Sequence, residues 1–380
     1  MNHVRRLALT LAAVIAATGG ERPDARQLGP GQSVTDLMIQ SRSQEQPQPS
    51  ARRIPLPAGN PLEVLHVLGD VYTIVGGPSN ITVQVGSEGV LLVDTATEDV
   101  SGHVLQAVRA LSDGPINYII NTTVDRDHFG GNGRIGAAGQ NPTLAGRGLT
   151  GRVAAQPNQV GAPRDDTPGG GAQAALRPQG AIIFAHENML SRISAPTGVT
   201  PPEPFALWPT NTFFTRQKTL SFNDEPIEML HQPAAHTDAD LMVFFRKSDV
   251  VVAGDVIHTL QYPVFDAKRG GSIQGLIDGL NAVIALTVPR FNQMGGTRVV
   301  PGHGRILNEA DVVEYRDMMT IIRDRIRDAI DEGKTLAEIK AMRPTLDYDP
   351  LYSVPGWTGE MLIEAIHADL RKPAAATAPR

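Results

Sequence analysis

The chain has 380 residues, 41% apolar and 19% charged, a balance that suits a globular protein of one large or two small domains and argues against disorder or a fibre. Its 34 basic and 40 acidic residues leave a net charge of −6 and are interspersed, so no basic field exists to hold a phosphate backbone, and no nucleic-acid partner is expected. Cysteine is absent, which excludes disulfides, thiolate ligands and a cysteine nucleophile; any metal must be held by nitrogen and oxygen.

At the start, MNHVRRLALTLAAVIAATGG places Arg5 and Arg6 ahead of an apolar run from Leu7 to Ala17 and then small residues, the layout of a secretory signal. The run is too short to span a bilayer. Residues 1–20 are therefore expected to direct the chain to the periplasm or the exterior, with no stable membrane insertion afterwards. Residues 21–61, rich in Gln, Pro, Ser and Arg without apolar periodicity, read as a flexible leader. VLHVLGDVYTIVG, NITVQVG and GVLLVDT then supply three β-branched runs, separated by Gly77, Pro78 and the Gly86 to Gly89 turn and closed by Asp94, the signature of a strand meander. Val104, Leu105, Val108 and Leu111 fall at helical spacing, and NYII at 117–120 is a strand that runs straight into NTTVDRDHFGGN at 121–132.

Residues 133–179 are dense in Gly, Pro and Ala and carry no aromatic anchor; they read as a surface insertion, either a lid or a mobile segment. Strands resume at AIIFA, PIEML, LMVFF and VVVAG, a helix is predicted over SIQGLIDGLNAVIALT, and RVVPGHG at 298–304 repeats the strand-then-loop design. Beyond it Tyr315, Met318, Met319, Ile322, Ile326, Ala329 and Ile330 trace one face of a long helix that Gly333 ends. Thr335 and Glu338 form a capping box for the next helix, and a last one is predicted over 360–370. The main domain is expected to span 62–310, with 311–380 a helical extension packed on it.

Four strand-to-loop junctions carry metal-type side chains: Asp125, Asp127 and His128; His236 in HQPAAHTDAD; Asp255 in VVAGDVIH; and His303 in VVPGHG. A lone histidine after a strand is usually a surface or satisfied core residue. Four such junctions in series point instead to convergence at one site. Imidazole and carboxylate donors of this kind, with coordination completed by water, suit zinc and also iron or manganese.

In this order the motifs resemble those of the metallo-beta-lactamase fold superfamily, over Val64 to Arg305. NTTVDRDHFGGN is similar to the family loop NTHxHxDHxGGN, AAHTDADLMVFF to the third motif, VAGDVIH to the fourth and VVPGHG to the fifth. The resemblance implies an α+β fold, an αββα four-layer sandwich with its metal site at one edge between the sheets. It also implies a second metal site of Asp127, His128, Asp255 and His303. In the first site Thr123 and Asp125 stand where the family has histidines, leaving His236 as the third ligand. One divalent ion, zinc foremost, is the expectation, with a second through Asp125 and His236 left open. The implied activity is hydrolysis of a small ester, thioester, lactone or amide carbonyl, Asp127 orienting the water and Asp125 or His236 taking or orienting its proton. A beta-lactamase and a catalytically degenerate metal- or ligand-binding module are the alternatives. Asp94 and Asp240 are expected to brace loops, His231 to support the site from behind or to be structural, His186 either to face the cleft or to start a helix, and His258 and Asp266 to be solvated residues near the cleft.

Overall fold

The computed structural model describes residues 52–142, 180–287 and 296–372. The expected signal, the leader up to residue 51 and positions 143–179 of the expected insertion lie outside the described residues.

Strands β1 (Arg53–Ile54), β2 (Glu63–Leu68), β3 (Val71–Val75), β4 (Ile81–Gly86), β5 (Gly89–Val93), β6 (Ile116–Ile120), β7 (Ile182–His186) and β8 (Asn211–Phe213) form an eight-stranded sheet in sequential order. The first five pair antiparallel and the rest parallel. A second sheet has five strands, in the order β13 (Arg298–His303), β12 (Val250–His258), β11 (Asp240–Phe245), β10 (Glu225–Gln232) and β9 (Gln217–Phe222). All its pairs are antiparallel except β12 with β13.

The layering follows from two-residue alternation in strands that are apolar on both faces. In β5, Val90 and Leu92 enter the core beneath helix α1 (Ser101–Leu111), whereas Leu91 and Val93 face the second sheet. In β12, Val250 and Val252 join that inter-sheet core, whereas Val251 and Ala253 pack beneath helices α5 (Ile273–Thr287) and α6 (Glu309–Asp331). Each such apolar side chain contributes about 1.5–3 kcal/mol when buried, and a one-residue slip would exchange the two sets, so the register is strongly specified. Helix, sheet, sheet and helix thus stack as an αββα sandwich, as the resemblance implied. Between α1 and α5 in chain order lie α2 (Arg126–Phe129), α3 (Asn132–Ala137) and α4 (Glu187–Ile193). After α6 come α7 (Leu336–Met342), α8 (Asp349–Tyr352) and α9 (Gly359–Leu370), and Ile339, Tyr352, Leu362 and Ile366 share the core of α5 and α6. No described helix is long and apolar enough to cross a membrane.

Three local expectations are corrected. The leader does not extend to residue 61, because β1 pairs with β2 and Ile54 and Leu56 pack on the first core. Positions 133–137 of the expected insertion belong to α3, where buried Ile135 anchors the helix and a side chain at Gly136 would crowd Ile183. Asp255 is not in a loop after a strand: it lies within β12, which continues to His258 through register shifts around Gly254.

His186 caps α4, its Nδ1 accepting the Asn188 amide at 3.3 Å, and its ring stacks on His231 at 3.5 Å. Burial, then the charge of His231, lowers the His186 pKa to about 4. The folded state therefore holds a neutral ring that charges near its ordinary value once unfolded. Its contribution is complete above about pH 6.5 and is lost as pH falls toward 4. Asparagine would keep the cap without the titration. Between pH 7 and 5, denaturant unfolding of wild type is expected to lose about 2 kcal/mol more than that of His186→Asn; equal losses would refute this.

Candidate metal centre

The loop after β6 is closed by its own ends: Asn121 and Asn132 exchange side-chain hydrogen bonds at 3.1 and 2.8 Å, and Thr95 donates to Asn132 Oδ1 at 3.1 Å. Asp94, at the end of β5, has a left-handed backbone (φ 65) and is buried. Its Oδ1 accepts the Thr122 amide at 2.8 Å, and its Oδ2 accepts Thr122 Oγ1 at 2.6 Å and lies 2.8 Å from His128 Nδ1. Asp94 therefore orients the His128 ring, consistent with the expected bracing role.

The other nitrogen, His128 Nε2, lies 3.1 Å from Asp255 Oδ1 yet is buried without a hydrogen-bond partner. Asp255 Oδ1 also lies 3.0 Å from His303 Nδ1, and His303 Nε2 lies 3.0 Å from Asp127 Oδ2. Four donors about 2 Å from a tetrahedral ion would sit roughly 3.3 Å from one another. His303 meets Asp255 and Asp127 through opposite ring nitrogens, so what fits a divalent ion is the mix of nitrogen and oxygen donors and the orphaned Nε2 of His128. Ligand atoms of Asp127, His128 and His303 also lie within 4.8 Å of one another. The close approach depends on two glycines. Gly254, at φ +54, lets Thr122 come within what would be 2.8 Å of a Cβ, and a side chain at Gly302 would collide with the Asp255 carboxylate.

Charge is balanced by proximity. Burial would lower the imidazoles, but for His128 the charges of Asp255 and Asp94 win and hold it well above its ordinary value. For His303, hydrogen bonds to Asp127 and Asp255 raise it to about 9. Burial would raise Asp255, but His128 and His303 hold it well below the carboxylate range.

The first-site positions are arranged differently. Thr123 is turned away, donating to Asp240 Oδ1 at 3.0 Å, and Asp240 also accepts the Thr237 amide and hydroxyl at 2.7 Å. Burial raises Asp240 to about 6 despite those partners. Asp125 Oδ2 meets His236 Nε2 at 2.5 Å, and His236 Nδ1 lies 2.7 Å from the Val264 carbonyl. Arg269 Nη1 donates to Asp125 Oδ1 at 2.5 Å and Arg269 Nε to Asp266 Oδ2 at 2.7 Å. Burial opposes both shifts, but their mutual bond and the nearby charges hold Asp125 below its usual value and raise His236 to about 10.

All six sequence-predicted site residues thus meet at one edge, and five of them, all but buried His128, line a cavity of about 190 Å³ with His258, Gln261 and Val264. His258 is not simply solvated: it stacks on His303 at 4.3 Å, and burial, then the His303 charge, lowers it to about 4. Asp266 anchors Arg269 rather than facing free solvent. His231 bonds the Asp238 carbonyl and stacks on His186, a structural pairing. Sequence reasoning missed Arg269, Gln261 and Thr122. Only Thr122, inside the quoted motif, had a signal; nothing in DAKRGG distinguishes Arg269 from a surface arginine.

No curated protein matches the chain. Among solved structures, the stereoselective inverting sec-alkylsulfatase Pisa1 from Pseudomonas sp. is 15% identical with a TM-score of 0.53, over 80% of this chain and 49% of that one. A double mutant of the same sulfatase gives 15% and 0.53, over 81% and 50%. The metallo-beta-lactamase from Pontibacter korlensis is 13% identical with a TM-score of 0.46, over 68% and 99%. The chain spans about half the length of the alkylsulfatases, and at this identity the likeness is one of fold. The sequence model of the metallo-beta-lactamase superfamily matches residues 74–303, more than half of the chain and the motifs from Asp94 to His303, so the chain belongs to that superfamily.

Proposed function

We propose that the chain is an exported metal-dependent hydrolase acting on a small ester, thioester, lactone or amide carbonyl at the centre of Asp127, His128, Asp255 and His303. The observation that carries this reading is His128 Nε2, buried beside a carboxylate and two further donors without a hydrogen bond of its own, an arrangement that costs stability unless an ion completes it. Held by these residues, a divalent ion, zinc foremost with iron and manganese also compatible, would lower the pKa of a bound water to about 7 and polarise a carbonyl.

The chain's own residues divide the remaining work. Asp127 is 35% exposed, lines the cavity and is engaged by His303 through Oδ2, so its carboxylate is placed to orient the water and accept its proton. Asp125 and His236 are not free for that task, since both Asp125 oxygens and both His236 nitrogens already have partners; they form the opposite wall. The 190 Å³ cavity takes the reacting group of a substrate, with the remainder outside. A lactam amide falls within this class. The competing reading, a binding module without catalysis, is favoured by Thr123, whose hydroxyl is committed to Asp240.

Turnover decides between them. With zinc-loaded protein and a panel of an aryl ester, a thioester, a lactone, a chromogenic cephalosporin and an alkyl sulfate, at least one substrate is expected to be hydrolysed, with a loss of at least ~100-fold in His303→Ala. Equal rates for variant and wild type on every substrate would remove the hydrolase reading. Asp94→Ala should leave the ligands in place but free the His128 ring, weakening zinc affinity by about 10–100-fold; unchanged affinity in a chelator-competition titration would refute the orienting role. Export predicts that mass spectrometry of protein from the producing cell finds a mature N-terminus beyond residue 20 in the periplasmic or external fraction; an intact N-terminus confined to the cytoplasm would contradict it.

A further inference from the structure

The first-site positions do not fit a second ion as they stand. Asp125, His236 and Asp255 offer ligand atoms within 4.8 Å of one another, which by itself resembles a small cation site. However, Asp125 Oδ1 is held by Arg269 at 2.5 Å and Oδ2 by His236 at 2.5 Å, and Thr123, in the position of a third ligand, faces Asp240 instead. An ion entering here would have to break both Asp125 contacts and sit beside a guanidinium. That charge cannot be removed by deprotonation.

Arg269 is also not a wandering surface side chain. It is 30% exposed, and its Nε donates to Asp266 Oδ2, whose Oδ1 accepts the Lys268 and Arg269 amides at 2.8 and 3.2 Å. The turn that carries it is stapled to the His236 segment: the Asp266 amide donates to the His236 carbonyl at 2.7 Å and the Asp238 amide to the Arg269 carbonyl at 2.9 Å. A side chain at Gly271 would collide with the His236 carbonyl, so the turn cannot back away. The guanidinium is therefore delivered to Asp125 by the same segment that presents His236.

We infer that Arg269 is the resident cation of the first site, a fixed positive charge standing where a second divalent ion would otherwise sit and restricting the protein to one. This rests on the metal-dependent reading of Asp127, His128, Asp255 and His303. Arg269 is a positioning residue: it holds Asp125 turned toward His236, and it blocks the Asp125, His236 and Asp255 donors from a second ion.

The test is zinc stoichiometry of the full chain, by elemental analysis after removal of loosely held metal and by titration against a chromophoric chelator. Wild type is expected to bind one equivalent. Arg269→Ala is expected to bind two, the second at least ten-fold tighter than any second binding to wild type, and to return to one when His236→Ala is added. Arg269→Lys, which retains the charge, is expected to stay at one. Should Arg269→Ala fail to fold by circular dichroism, Arg269→Gln, which keeps a polar side chain without the charge, reads the same stoichiometry. Two tight equivalents in wild type, or one in the folded uncharged variant, would overturn the inference. No zinc in wild type but one equivalent in the uncharged variant would overturn the Asp127 to His303 centre while upholding the role of Arg269; none in either would overturn both.

Discussion

The structure depends on the cost of gathering carboxylates where little water can screen them. Asp94, Asp240 and Asp255 are buried, and Asp125 and Asp127 line the same cavity. Left alone they would repel one another and shed their charges. Instead imidazoles alternate with them: Asp94, His128, Asp255, His303 and Asp127 follow one another at 2.8, 3.1, 3.0 and 3.0 Å. Each histidine lies between two acids. In the proposed centre a divalent ion would take over the electrostatic task of the protons on those rings.

That alternation needs residues from the ends of β5, β6, β12 and β13, and the two-sheet sandwich is what brings those ends to one edge. The inter-sheet core, with Leu91 and Val93 against Val250 and Val252, fixes the sheets face to face. Parallel pairing of β12 with β13 then sets Asp255 beside His303, and the irregular register at Gly254 turns the end of β12 toward the β6 loop. The C-terminal extension reaches the same edge: Tyr315 of α6 donates to the His258 carbonyl at 2.9 Å, and Trp357, between α8 and α9, to the Pro263 carbonyl at 3.3 Å. Thus the helical extension steadies the segment that carries His258, Gln261 and Val264 into the cavity.

A shorter second chain runs Asp266, Arg269, Asp125, His236 at 2.7, 2.5 and 2.5 Å. It balances its charges internally and with a guanidinium that cannot titrate, whereas the first chain leaves the buried Nε2 of His128 unsatisfied. The cavity is consequently asymmetric. One wall carries the donors of the proposed metal centre, and the other is already neutralised by the protein.

Much of this was legible in the sequence because it is local. Strand runs with apolar residues on both faces, the Thr335 to Glu338 capping box, the helical face from Tyr315 to Ile330 and the motif order with its ligand residues all depend on spacings within a few residues, and the structure repeats them. The same locality misled at residues 52–61 and 133–137, where sparse apolar residues find their partners only across the fold, and at 255, where strand pairing with β13 carries β12 past the Gly-Asp that reads as a strand end. What the sequence by itself determined was the family, the layered architecture and the identity of the ligand-type side chains, since these are written in short-range patterns. Only the tertiary structure decided that Thr123 turns to Asp240 and that Arg269, 144 residues from Asp125 along the chain, occupies the remaining oxygen. A contact over that separation is fixed by how the sheets and their edge loops pack, and no local pattern records it.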